Sequence, residues 1–293
     1  MTRILYTSDL HGREPLYQEM AATVRRHHAD IVLLGGDLLP RIGHGAAALE
    51  AQKTFCSRFL HPFFRSFRQD SQVRIYAIPG NDDYFAALPL FEIMESEGLL
   101  TMIQDKNVPL TGDFRLAGYA CVPPTPFRSK DFEKKDLTED DLPEPADRMT
   151  VTWDGSVRPA TVQSVFGKRP SIADDLNTLF KPETAKNTFF LIHGPPYHTA
   201  LDMIHTGVHV GSRALRAWIL RVRPRMTLHG HIHESPRVSG RFADMLGDTL
   251  CVNTGQTESG LSAVIFEPDD PAGTLYHTIY GNPGLTDRKA ASP

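Results

Sequence analysis

Five times along this chain a short, mostly apolar run stops at a small residue flanked by aspartate, asparagine or histidine. Ile4-Leu5-Tyr6 precedes Asp9-Leu10-His11, Ile31 to Leu34 precedes Gly35-Gly36-Asp37, and Val73 to Ile78 precedes Pro79-Gly80-Asn81. Later, Thr188 to Ile192 runs into His193-Gly194, and Met226 to Leu228 into His229-Gly230-His231-Ile232-His233. Runs of this length bounded by turn residues read as buried strands. Helical patterns lie between them, at Pro15 to His28, Ala46 to Arg68 with a break expected at Pro62, Ser171 to Phe180, and Ser212 to Val222. Strand, loop and helix in that order imply parallel strands joined by crossover helices, an α/β architecture. Ligand sites in such sheets gather beyond the carboxyl ends of the strands, so the five loops are expected to converge.

The remaining segments add short strands at Phe114 to Val122, Thr249 to Val252, Ala263 to Phe266 and Leu275 to Ile279. Residues 123–149 are proline-rich and charged, and read as a polar surface excursion from a single domain covering 1–293, either solvated or acting as a lid. The tail after Gly281 is expected to be loose. With 41% hydrophobic and 23% charged residues, a disordered or fibrous chain is excluded. A net charge of −4 gives no overall footprint for nucleic acid. The longest apolar runs fall well short of the roughly 18 residues of a membrane span. Met1-Thr2-Arg3 leads straight into the first strand without the apolar region of a signal peptide, so a soluble, cytoplasmic protein is expected. Cys56, Cys121 and Cys251 form no CxxC pair and read as buried reduced thiols.

The five loops offer two aspartates, one asparagine amide oxygen and four histidines, with no thiolate. That mixed nitrogen and oxygen set suits borderline divalent metals. Seven ligands exceed what one ion needs, whereas two ions sharing a bridging carboxylate fit the number. His229 shares the period-two spacing of His231 and His233, but Gly230 breaks the alternation and makes it a strand residue before the turn.

The series Asp9-x-His11, Gly36-Asp37, Gly80-Asn81, His193 and Gly230-His231-x-His233 resembles the calcineurin-like metallophosphoesterase superfamily. His209-Val210-Gly211-Ser212, together with Gly230 to Glu234, further resembles its cytosolic branch, related to cyclic-nucleotide phosphodiesterases and predicted bacterial phosphoesterases. The resemblance implies a two-sheet β-sandwich flanked by helices in four layers. It also implies a site in which Asp9, His11 and His233 bind one metal, Asn81, His193 and His231 a second, and Asp37 bridges them. Manganese is the first choice, with iron, zinc, cobalt, nickel or magnesium as alternatives. Water held between two such ions would attack phosphorus directly, with no phosphoenzyme.

One position departs from the family pattern. A histidine that protonates the leaving group usually follows the glycine-asparagine pair; here Asp82 stands there, followed by Asp83. A carboxylate repels a phosphomonoester dianion and is a poor acid unless its pKa is raised. The substitution therefore favours a phosphodiesterase acting on a small phosphorylated substrate, a nucleotide among them. Asp82 and His209 are the expected catalytic residues and Asn81 and His198 the expected substrate contacts, with His198 and His205 as alternative sources of the acid. Nucleic acid is not the expected partner. The rival reading, a nuclease, draws on Arg213, Arg216, Arg221, Arg223 and Arg225, and a catalytically weak metal-binding scaffold is the alternative from another class.

Overall fold

The computed structural model describes residues 1–180 and 182–283; the tail expected to be loose lies mostly outside them. The first strands in chain order are β1 (Ile4–Thr7), β2 (Ile31–Leu34), β3 (Arg74–Ala77), β4 (Thr101–Met102), β5 (Asn107–Thr111) and β6 (Phe114–Tyr119). A small hairpin, β7 (Thr150–Val151) and β8 (Arg158–Pro159), follows. The later strands are β9 (Thr188–Ile192), β10 (Met226–His229), β11 (Ala243–Leu246), β12 (Thr249–Asn253), β13 (Ala263–Phe266) and β14 (Tyr276–His277). They build two six-stranded mixed sheets, ordered β14-β13-β1-β2-β3-β4 and β11-β12-β10-β9-β6-β5. β1 to β4 run parallel in one sheet, β4 forming its edge, and β6, β9, β10 and β12 run parallel in the other; antiparallel pairs lie at the β13–β14 margin of the first and at both margins of the second.

Every residue of β1, β2, β9 and β10 is buried, as parallel strands covered on both faces require. The period-two alternation sends Ile4, Tyr6, Ile31, Leu33 and Ile78 inward against Leu116, Phe189, Leu191 and Leu228 of the second sheet. Leu5, Val32, Leu34 and Ile75 face outward against the helices α1 (Glu14–His27), α2 (Ala46–Phe55), α3 (His61–Asp70) and α4 (Leu88–Ser96). On the far side, Phe190 and Ile192 pack under α6 (Ile172–Leu179) and α7 (Arg213–Val222), α5 (Val162–Phe166) lying apart in a small satellite cluster. The expected four layers, helix, sheet, sheet and helix, are present. Leu33 sits between the sheets with no exposure, where truncation to alanine costs about 2–5 kcal/mol.

Three sequence expectations are corrected. The long helix over 46–68 does not break at Pro62. A π turn at Cys56–Leu60 joins α2 to α3, with the His61 N–H reaching back to the Cys56 carbonyl, so the chain is already out of α register where Pro62 supplies no donor. The last strand is only Tyr276–His277 rather than Leu275 to Ile279. The stretch at 123–149 is not wholly a surface excursion: Phe132 joins the core under α6 and α7, and Lys130, Asp131, Glu133 and Asp136 are buried. Their burial is possible because each is paired. The Lys130 ammonium donates to both Glu133 oxygens and to the Thr125 carbonyl at 2.8 Å, and Asp131 accepts from the Thr152 and Phe85 N–H groups. Among the described residues no helix is long and apolar enough to cross a membrane.

Candidate metal centre

The loops that follow β1, β2, β3, β9 and β10 meet where the carboxyl ends of the two sheets come together. Backbone hydrogen bonds stitch them directly: the Asp9 N–H donates to the Gly36 carbonyl at 2.9 Å, His11 N–H to Asp37 at 2.8 Å, and Gly230 N–H to His193 at 2.9 Å. Such close approach leaves no room for side chains at the intervening positions. A Cβ on Gly80 would lie 2.1 Å from Asp37 Oδ1, one on Gly36 2.6 Å from His193 Nδ1, and one on Gly230 2.2 Å from Asp9 Oδ2. Asp9, His11, Asp37 and His231 all adopt positive φ, between 44° and 65°, a conformation that costs free energy and is held by the surrounding loops.

Ligand atoms of Asp9, His11, Asp37 and His233 lie within 4.8 Å of one another. His233 Nε2 is 3.0 Å from Asp9 Oδ1 and 3.1 Å from His11 Nε2. Asp37 joins this group to the next, its Oδ2 lying 3.8 Å from His11 Nε2 and 3.4 Å from His193 Nε2. His193 Nε2 also faces Asn81 Oδ1 at 3.1 Å, and its ring centroid is 5.3 Å from that of His231. All seven expected ligands are therefore brought to one place. Their orientations are held from behind. His193 Nδ1–H donates to the Gly35 carbonyl at 2.8 Å, Asp37 Oδ1 accepts from the Asp82 N–H at 2.8 Å, and Asp9 accepts from the His231 N–H at 3.1 Å and from the Ser8 hydroxyl.

The electrostatics couple the carboxylates to the imidazoles. Burial alone would raise Asp9 and Asp37, but the neighbouring histidines outweigh it and hold both carboxyls well below their usual range. Burial alone would lower His193 and His233, yet Asp37 and Asp9 respectively pull them up, His193 to about 10. His231 is pushed down to about 3 by burial and by His193, and burial lowers His11. Two carboxylates thus hold protons on the His193 and His233 rings across short contacts, and a cation bound among them would take the place of those protons. The buried His11 Nδ1 also has no hydrogen-bond partner. A donor set of oxygen and nitrogen lone pairs, pinned from behind and glycine-cleared in front, fits divalent cations.

His229 is not part of this set: its Nδ1 donates to the Ile192 carbonyl at 2.9 Å and its Nε2 accepts from Thr227 Oγ1 at 2.8 Å. Asp82 is at the edge of the cluster, Oδ2 lying 4.0 Å from His11 Nδ1 and 3.2 Å from Arg41 Nε. Burial, then Asp37, pushes its carboxyl up to about 7. His198 and His209 lie in the loop after β9, ring centroids 4.6 Å apart. His209 Nδ1 donates to the fully buried Asp202 at 2.7 Å, and His205 pairs with Glu234 at 2.8 Å. Among the described residues, none of these three histidines makes a hydrogen bond or ion pair with the seven.

Several residues that shape the site escaped the sequence reading. Asp83 accepts from the Leu38, Leu39 and Gly80 N–H groups at 3.1, 2.8 and 2.9 Å, fixing the loops after β2 and β3 together. Gln52 of α2 donates to the Asp82 carbonyl at 2.7 Å, and Asn253 donates to the Gly230 and Ile232 carbonyls at 3.2 Å. Asp202 organises the His198–His209 loop by accepting from the N–H groups of His198, Thr199 and Gly211. The Asp82-Asp83 doublet and a glutamine on the buried face of a helix were the only signals available.

Comparison with known proteins agrees with this geometry. Residues 2–235 match the family model for calcineurin-like phosphoesterases. The uncharacterized protein MJ1162 of Methanocaldococcus jannaschii is 22% identical over 255 residues, covering 86% of this chain and 87% of that protein. TT1561 of Thermus thermophilus superposes with a TM-score of 0.59 at 16% identity, over 94% of this chain and 97% of that one. A second crystal structure superposes with a TM-score of 0.62 at the same identity and coverage. At that identity the structural likeness speaks for the fold alone, whereas the family model spans all five strand–loop motifs, from β1 to just past His233. The chain belongs to the calcineurin-like phosphoesterase family, whose members use a dinuclear divalent metal centre.

Proposed function

We propose that this phosphoesterase is a phosphodiesterase acting on a small organic phosphate, with nucleotides the first class to test. In this reading Asp9, His11 and His233 hold one ion, Asn81, His193 and His231 the other, and Asp37 lies between them. Such ions polarise phosphoryl oxygens and lower the pKa of an attacking water. Manganese is the first metal to test.

The observation that carries the diester preference is the carboxyl of Asp82 at the edge of the ligand cluster, 4.0 Å from His11 Nδ1, where the family pattern has an imidazole. A carboxyl group there adds negative charge beside the phosphate, which a diester monoanion tolerates better than a monoester dianion. With its carboxyl pushed up to about 7, Asp82 populates both forms near neutral pH: the ionised form disfavours a dianion, and the protonated form, through Oδ2, is the proposed donor to the departing oxygen. His209, oriented by Asp202, is the second proposed donor, and Asn81 and His198 are the proposed substrate contacts. The three free, buried cysteines support a reducing, cytoplasmic setting.

The contacts of the arginines around α7 count against the nuclease reading. Arg213 faces Asp136 and Asp140, Arg216 the carbonyls of Tyr197 and His198, Arg221 Asn177, Arg223 Asp248, and Arg225 the carbonyls of Pro268 and Asp269. These guanidiniums already have acceptors and do not form a free basic track.

The test is hydrolysis of bis(p-nitrophenyl) phosphate against p-nitrophenyl phosphate by protein stripped of metal and reloaded with manganese, iron, zinc, cobalt, nickel or magnesium in turn. Diester turnover should exceed monoester turnover and disappear in Asp37→Ala. Asp82→His should move the preference toward the monoester. Dominant monoester turnover by the unaltered protein would overturn the diester assignment.

A further inference from the structure

A cleft of about 450 Å3 opens beside the metal centre, and Asp82 belongs to both. Its walls come from the loop after β2 (Pro40, Arg41, Ile42), from the segment after Pro126 (Phe127, Arg128) and from Tyr84. Its size suits a nucleoside-sized group rather than a polymer. Arg41 is the residue around which the cleft is organised. Its guanidinium lies over the Phe127 ring, 4.6 Å from the centroid, while Nε faces Asp82 Oδ2 at 3.2 Å. The Arg41 side chain is nonetheless 51% exposed. A guanidinium is a flat, weakly hydrated cation that accepts aromatic rings on its faces. With one face on Phe127 and its edge turned to Asp82, Arg41 can present its other face to the cleft as a stacking platform.

The Phe127 half of the platform is tied to buried groups. Phe127 is carried by the segment that Lys130 and Glu133 anchor through a buried, fully hydrogen-bonded ion pair. The Phe127 N–H also donates to Thr125 Oγ1, and that same hydroxyl donates to Glu133. The aromatic half of the platform is therefore set before any ligand arrives, which reduces the ordering cost of binding.

We propose that this cleft is the subsite for the organic half of the ester, and that Arg41, stacked on Phe127, selects esters carrying a flat aromatic or heteroaromatic ring. Arg41 is a specificity residue here and takes no part in bond breaking. The proposal rests on reading the neighbouring cluster as a phosphoesterase centre, and the experiment separates the two.

Calorimetric titration of the manganese-loaded protein with adenosine 5′-monophosphate and with ribose 5-phosphate compares two ligands that share the phosphoribosyl group and differ by the ring. Stacking of one base on a platform of this kind corresponds to about a ten-fold preference for the nucleotide. Arg41→Met should bring the ratio of affinities close to one, the ratio cancelling whatever loss of charge beside Asp82 does to both ligands alike. Arg41→Lys keeps the charge beside Asp82 but lacks the plane, and should lose the ring preference as Arg41→Met does. Phe127→Leu should reduce the preference while leaving the charge untouched. A preference that survives Arg41→Met, or one lost in Arg41→Met but kept in Arg41→Lys, overturns ring selection by Arg41. If the unaltered protein binds both ligands equally well while bis(p-nitrophenyl) phosphate is still turned over, the subsite is wrong and the phosphoesterase reading stands. If neither binds and no ester is hydrolysed with any metal, the phosphoesterase reading has failed and takes the subsite with it.

Discussion

The ligand residues could be found in the sequence because their chemistry is local: each is a metal-competent side chain beside a residue small enough for tight approach. What makes Gly80 indispensable could not be found there, since its neighbour Asp37 arrives from another strand. A methyl group at that position would meet both Asp37 Oδ1 and the Asp37 backbone nitrogen, at 2.1 and 2.3 Å. Gly80→Ala is expected to leave far-UV circular dichroism unchanged and to lower diester hydrolysis by about 100-fold, the scale of loss that follows an ångström of misplacement. Away from the centre, His277 is buried between two kinds of partner. Its Nε2–H donates to the Thr254 carbonyl at 3.0 Å, and its Nδ1 accepts from the N–H groups of Ile279 and Tyr280 at 3.0 and 3.3 Å. A second proton would need Nδ1, which already faces two donors. Burial accordingly depresses His277 from 6.5 to about 4, so the unfolded chain binds this proton more readily than the folded one. Its stabilising contribution is complete above pH 6.5 and is lost as pH falls toward 4. Urea titrations across that interval should show a shallower loss of stability in His277→Gln than in the unaltered protein.

The five strands that carry the ligand loops, β1, β2, β3, β9 and β10, and the amphipathic helices α1 and α7 followed from local pattern, because those signals reside within a dozen consecutive residues, whereas β4, β5 and β11 did not. Residues 123–149 did not follow. Six charged side chains in the seven residues 130–136 read as solvated, and only the partners supplied by the fold make the burial of four of them favourable. Asp136 shows how. It accepts from the Ser212 hydroxyl and from the Arg213 and Ala214 N–H groups at 2.7 and 3.3 Å, so it completes the amino-terminal cap of α7 from 76 residues away. Asp136→Ala should remove these acceptors and destabilise the protein by about 1–2 kcal/mol. The urea midpoint should fall while the slope of the transition stays constant, because the surface exposed on unfolding is unchanged. The π turn before Pro62 was equally hidden, since proline announces a disturbance of helix register without saying whether the chain will stop or widen.

Taken whole, the molecule has modest net charge, and the arginines around α7 are engaged by acceptors of its own. Fluorescence anisotropy with a labelled single-stranded 20-mer at 0.15 M salt should therefore show no saturable binding tighter than about 100 μM, the weak end of nonspecific affinity. Saturation at low micromolar concentration would restore the nuclease reading. The two sheets contribute to the centre in strict division: Asp9, His11, Asp37 and Asn81 follow strands of the first, while His193, His231 and His233 follow strands of the second. Either sheet by itself holds only part of the ligand set. A ribosome making this chain must pass residue 193 before any histidine of the second sheet exists and residue 233 before the last one does. Ion capture by the complete centre is thus a late event in the life of each molecule, after the sheets have docked, and a metal bound there reports that the whole fold has been achieved.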